Sequence, residues 1–156
     1  MTAAGETAVI VARVVLRVVV VAALLVVVAC RGPQQIEAVE LGHSDNHSRL
    51  VSMVAVLADP ASFVGQKVRL QGVLNIEFEG NQLCFDRASL ESFATMNCLR
   101  LGLGQQLTSQ EPELARWNGH YVTVEGTIEA TRLGDHYPAR IREVAHVLVI
   151  RTRRRI

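Results

Sequence analysis

The sequence predicts a mainly β domain over residues 50–150, a small five-stranded Greek-key barrel with a helix between strands 3 and 4 and an extra helix in front. Three observations point there. Two long segments, Lys67 to Phe78 and His120 to Thr131, alternate apolar and polar residues with period two, as half-buried strands do. Both open at a turn glycine and carry a second glycine seven residues on, in Gly65-Gln66-Lys67-Val68-Arg69-Leu70-Gln71-Gly72 and Gly119-His120-Tyr121-Val122-Thr123-Val124-Glu125-Gly126, a pattern suited to two similarly bent strands. The remaining elements are short, and 156 residues leave room for one domain and some unstructured flank.

Taken in order, Ser52 to Ala58 reads as the leading helix, closed at Asp59-Pro60 because the residue before a proline is pushed out of helical geometry. Strand 1 is Lys67 to Phe78. Glu79-Gly80-Asn81 is a hairpin turn, and Gln82 to Phe85 the returning strand. Ala88 to Met96 is a turn or short helix, followed by strand 3 from Asn97 to Leu101. Thr108, with Glu111 three residues on and Pro112 beside it, marks a helix start; Asn118-Gly119 marks its left-handed stop after Trp117. In strand 4, His120 to Thr131, residues Val122, Val124, Gly126, Ile128 and Ala130 share one face. Leu133 to Pro138 is a loop, and Ala139 to Ile150 a last strand whose irregular pattern implies a bulge. Three strands, a helix and two strands is the order of the OB-fold. A small α+β sandwich is the rival arrangement.

The amino terminus carries an address. Arg13 and Arg17 precede an apolar run from Val18 to Ala29, the layout of a secretory signal peptide over residues 1–29. This run is too short to span a bilayer core, which needs about twenty residues. An uncleaved anchor from Val9 to Ala29 would bury both arginines, at about 2.5–3.5 kcal/mol each near a helix centre. The run ends in Val27-Val28-Ala29-Cys30, which resembles the lipobox of bacterial lipoproteins, with Val27 where leucine is commonest. That resemblance implies cleavage before Cys30, diacylglycerol on its thiol and a palmitate-type acyl group on the new amino terminus. Several acyl chains anchor stably where one is marginal. It also implies a membrane-anchored protein facing the periplasm or the cell surface. Arg31, standing where aspartate favours inner-membrane retention, points to the outer membrane in a cell that has one.

Residues 30–49 read as a lipidated start and a flexible linker. His43, Asp45 and His47 sit among poor helix formers and read as solvated tether rather than metal site. The basic tail, residues 151–156, could touch anionic headgroups or simply be solvated.

Val51-Ser52, Asp59-Pro60, Gly65-Gln66-Lys67-Val68, Glu77-Phe78-Glu79-Gly80-Asn81 and Val124-Glu125-Gly126 together resemble small bacterial OB-like proteins, including the tRNA-anticodon-like domains found in lipoproteins. The resemblance implies a fold and leaves the biochemistry open.

Once Cys30 is lipidated, Cys84 and Cys98 remain, and an even pair in an exported domain suggests a disulfide. Two separate buried thiols are the alternative, and the spacing is unlike a redox C-x-x-C pair. With residues 1–29 removed, 14 basic side chains face 14 acidic ones, so no basic face for nucleic acid is expected. Known hydrolase, zinc and phosphate-loop motifs are missing from the sequence, and neither cofactor nor metal is expected. OB-folds bind through strands 2 and 3 and the loops joining strands 1–2 and 4–5. That selects Glu79, Asn81, Arg132, His136 and Tyr137 as candidate ligand contacts. The expected function is a non-enzymatic, membrane-anchored binding or assembly module, with another envelope protein or a small ligand as partner. The alternative is oligosaccharide or oligonucleotide binding on the OB surface, and an enzyme comes last.

Overall fold

The computed structural model describes residues 35–45, 47–78 and 80–153. The signal segment, Cys30, Arg31, Asn46, Glu79 and residues 154–156 lie outside them. Residues 36–151 form one unit; residues 1–35 and 152–156 fall in a second.

Five strands close the barrel: β3 (Lys67–Asn75), β4 (Gln82–Cys84), β5 (Cys98–Leu103), β6 (Tyr121–Ala130) and β7 (Ala139–Arg153). β3 runs antiparallel to β4 and β6, β4 antiparallel to β5, β5 parallel to β7, and β7 antiparallel to β6, which returns the ring to β3. This is the OB-like Greek key expected from the element order. The leading helix α1 (Met53–Ala58) precedes β3, and the connection from β5 to β6 is helical. Val68, Leu70 and Leu74 of β3, Val122, Val124 and Ile128 of β6, and Ile141, Val147 and Val149 of β7 fill the interior.

The two echoed glycines sit where another strand approaches the backbone too closely for a Cβ. Gly72 lies where β3 passes from pairing with β6 to pairing with β4. A Cβ there would stand 2.6 Å from the Cys84 carbonyl oxygen and 2.8 Å from Leu83 Cγ. A Cβ on Gly126 would stand 2.5 Å from Ile141 Cγ2. Opposite Gly126 the β6–β7 register slips between Glu125↔His146 and Thr127↔Arg142, and Glu143 takes φ 51°. The bulge anticipated in the last strand is there.

Several boundaries differ from the expected ones for local reasons. β3 stops at Asn75 rather than Phe78, because the Asn118 side chain takes over the Ile76 backbone: its Oδ1 accepts from Ile76 N at 2.7 Å and its Nδ2 donates to Ile76 O at 3.0 Å. The single helix expected over 108–117 is two short ones, α3 (Gln105–Thr108) and α4 (Glu111–Ala115). Thr108 does not cap; its hydroxyl donates back to the Gly104 carbonyl at 3.1 Å, closing α3 instead. Between β4 and β5 a third short helix, α2 (Arg87–Glu91), is capped by Asp86, whose carboxylate accepts from Ser89 N at 2.7 Å. Those contacts with Ser89 hold Asp86 below the usual carboxylate range.

The largest departure concerns the linker. Where a flexible tether is expected, Gln35–Gly42 forms β1 beside β7, and Arg49–Leu50 forms β2, parallel to β3. Val39 and Leu41 alternate inward and pack on the core, so this segment has apolar area to bury after all. Cys84 and Cys98 face each other across β4 and β5, are joined by a disulfide and are fully enclosed.

Candidate binding site

Alternation along strands decides which side chains reach the barrel's outer face. Arg100 lies between Leu99 and Leu101, and Arg140 between Ala139 and Ile141, all four aliphatic neighbours being buried. Arg100 and Arg140 therefore point outward. Parallel pairing sets Arg100 directly beside Arg140, antiparallel pairing sets Arg140 beside Glu129, and Gln82 lies across from Arg100. A polar row thus crosses four strands, and the loop after β6 closes over one end of it. The result is a cavity of about 380 Å³ lined by Arg100, Arg140, Glu129, Arg132 and Asp135.

The expected contact residues divide around this cavity. Arg132 lines it. Tyr137 stands at its flank: its hydroxyl donates to Gln82 Oε1 at 3.0 Å, and its backbone N–H to Asp135 Oδ1 at 3.4 Å, pinning the loop onto β4. Burial pushes the Tyr137 phenol up, with Arg100 opposing and Asp135 and Glu77 adding to the rise. The Asn81 side chain accepts from Glu77 N at 3.0 Å and ties the turn between β3 and β4. His136 is exposed and outside the lining, and Glu79 is not among the described residues. Sequence reading missed Arg100, Arg140 and Glu129. Their outward phase was legible, but their adjacency depends on the β5–β7 register.

A second polar centre was also missed. The alternation that puts Val124 and Gly126 on one face implies Glu125 on the other, in solvent, yet it is only 2% exposed and His146 only 4%. The loop after β1 covers that face. Ser44 Oγ donates to Glu125 Oε1 at 2.7 Å, Asp45 N donates to Oε2 at 3.0 Å, and Arg69 Nη2 pairs with Oε1 at 2.7 Å. His146 Nδ1 lies 3.2 Å from Glu125 Oε1, off the hydrogen-bonding direction, while its Nε2 meets Glu40 Oε2 at 3.1 Å. Lys67 adds an ion pair to Asp45 at 2.8 Å. These contacts staple the segment that follows the predicted anchor to the barrel.

Burial by itself raises the Glu125 carboxyl, but Ser44, the Asp45 N–H, Arg69 and His146 outweigh it and hold the group below its ordinary value. A folded-state pKa below the unfolded one means the unfolded chain takes up the proton first as pH falls. The stabilisation from Glu125 is therefore full at neutral pH and drains away from about pH 4 downward. Thermal melting from pH 7 to pH 3 should fall more steeply for the wild type than for Glu125→Gln. Parallel curves for the two proteins would show that Glu125 does not carry the acid sensitivity.

Phe85, expected as the last residue of the returning strand, lies just outside β4 and is 44% exposed. It flanks a groove of about 570 Å³ with Leu50, Met53, Gln71 and Tyr121. The correction follows from β4 ending at Cys84, after which the chain turns outward into α2.

Comparison of the chain with protein-family models, with curated proteins and with solved structures gave no match.

Proposed function

We propose that the chain is a lipid-anchored cell-envelope protein whose OB-like barrel is a non-enzymatic binding module. The observation that carries this reading is the enclosed Cys84–Cys98 disulfide between β4 and β5. A structural disulfide belongs to an oxidising compartment outside the cytoplasm, which is where the Val27-Val28-Ala29-Cys30 lipobox would deliver the chain. The same bridge stiffens the strand pair that OB-folds use for recognition. The buried Glu125 and His146, with the half-buried Arg69, are engaged in holding β1 and its loop to the barrel, a structural task rather than a catalytic one.

A second reading, that the ligand is a saccharide or oligonucleotide taken on the OB surface, draws support from the arginine-lined cavity at the end of the polar row.

The address is tested by metabolic labelling with radioactive palmitate in a bacterial host. Wild type should carry label and float with membranes; Cys30→Ala should lose the label and accumulate as the longer precursor. A Cys30→Ala protein that keeps its label and its mobility would overturn the anchor.

A further inference from the structure

We infer that the cavity between Arg100, Arg132 and Arg140 binds a small polyhydroxylated anion, a sugar or polyol carrying one carboxylate or phosphate. This rests on the binding reading of the barrel face and is independent of the lipid anchor.

Three guanidinium groups from β5, β7 and the loop after β6 line one concavity of about 380 Å³, room for a single sugar residue. Among the described residues, none of the three makes an ion pair or a side-chain hydrogen bond. Arginine forks match carboxylate and phosphate oxygens two at a time, so an unpaired set gathered in one cavity is suited to an anionic group. Glu129 and Asp135 share the lining and leave an excess of one positive charge. Ionised carboxylates only accept hydrogen bonds, so they suit hydroxyl donors flanking the anion. They also repel a long polyanion, and residues 30–156 carry no compensating net charge, which disfavours a nucleic-acid backbone.

The position of Arg140 is built into the backbone. Gly102, its neighbour on β5, lies beneath the guanidinium, and a Cβ at that position would stand 2.7 Å from Nη2. Only a residue without a side chain lets the Arg140 head rest there.

The same chemistry occurs in free sugar acids and in a glycerol-phosphate lipid headgroup. Calorimetric titration of the full chain in nonionic detergent with glucuronate, glucose 6-phosphate and glycerol 1-phosphate tests the site, with glucose as the uncharged control. At least one acid should bind saturably, with glucose at least tenfold weaker. Arg100→Gln and Arg140→Gln should each weaken binding at least tenfold while melting as the wild type does. Gly102→Ala keeps every charge and displaces only the flexible Arg140 head, and should weaken binding several-fold. A parallel titration uses nanodiscs of phosphatidylglycerol. Arginine-dependent binding confined to the nanodiscs assigns the source as a headgroup, and binding of the soluble acids assigns a free solute. The inference is overturned if no probe saturates, if glucose binds as well as the acids, or if the arginine variants bind undiminished. Failure here leaves palmitate labelling at Cys30 untouched, so the two ideas stand or fall separately.

Discussion

Replacing Glu125 with alanine is expected to cost about 2–4 kcal/mol of folding stability, because several donors lose one buried, charged acceptor at once. The magnitude follows from what stays behind. Arg69 would keep its charge with its partner gone, Ser44 would lose its acceptor, and the Asp45 N–H would point into a void. A domain of ordinary stability, about 5–15 kcal/mol, would lose a large share of its margin. Glu125→Gln should cost less, because the amide oxygen can still accept from Ser44 or Asp45. Urea unfolding measures both variants, and hydrogen exchange should show faster opening at Ser44 and Asp45, the two residues Glu125 fastens. An alanine variant within 1 kcal/mol of wild type would mean the cluster contributes little.

The second large effect lies at the disulfide. The Cys84→Ala, Cys98→Ala pair should be less stable by about 3 kcal/mol, the loss of loop-closure restraint for a loop of about fifteen residues. Alanine is the better probe than serine, because both positions are enclosed and a hydroxyl there would be buried without a partner. Wild type unfolded in a strong reductant should match the alanine pair. Reduction without denaturant should be slow, because the bridge has no exposure from which a thiolate could attack. Equal urea midpoints for oxidised wild type and the alanine pair would show that the bridge adds nothing. The loss should also reach the binding face, since Gln82 and Arg100 lie one alternation away from the bridged pair on the same two strands.

Local pattern was readable wherever one face of a strand is apolar. Lys67 to Asn75 and Tyr121 to Ala130 lie inside the predicted segments, because period-two alternation needs no knowledge of the partner strand. Gly72 and Gly126 were legible for a similar reason, as glycine inside an apolar strand marks a close approach whatever approaches. Thr108 misled, because a hydroxyl that can cap the next helix can equally bond back into the one before. The segment from Gln35 misled more seriously. Its two inward apolar residues, Val39 and Leu41, are a weak signal beside the polar stretch that follows, and only β7 gives them a surface to cover.

The amino-acid sequence on its own determined the five barrel strands, their order, the bends and, with the export signal as an expectation, the pairing of the last two cysteines. Each of these depends on neighbours in the chain or on the parity of a count. Tertiary structure alone decided that Glu125 is buried, because the group that covers it, Ser44, is 81 residues away in sequence. It likewise decided that Arg100 and Arg140 share a cavity, because a parallel pairing between β5 and β7 brings them side by side. Burial and convergence of charge are properties of register and coverage, and neither is written in the local alternation of any one strand.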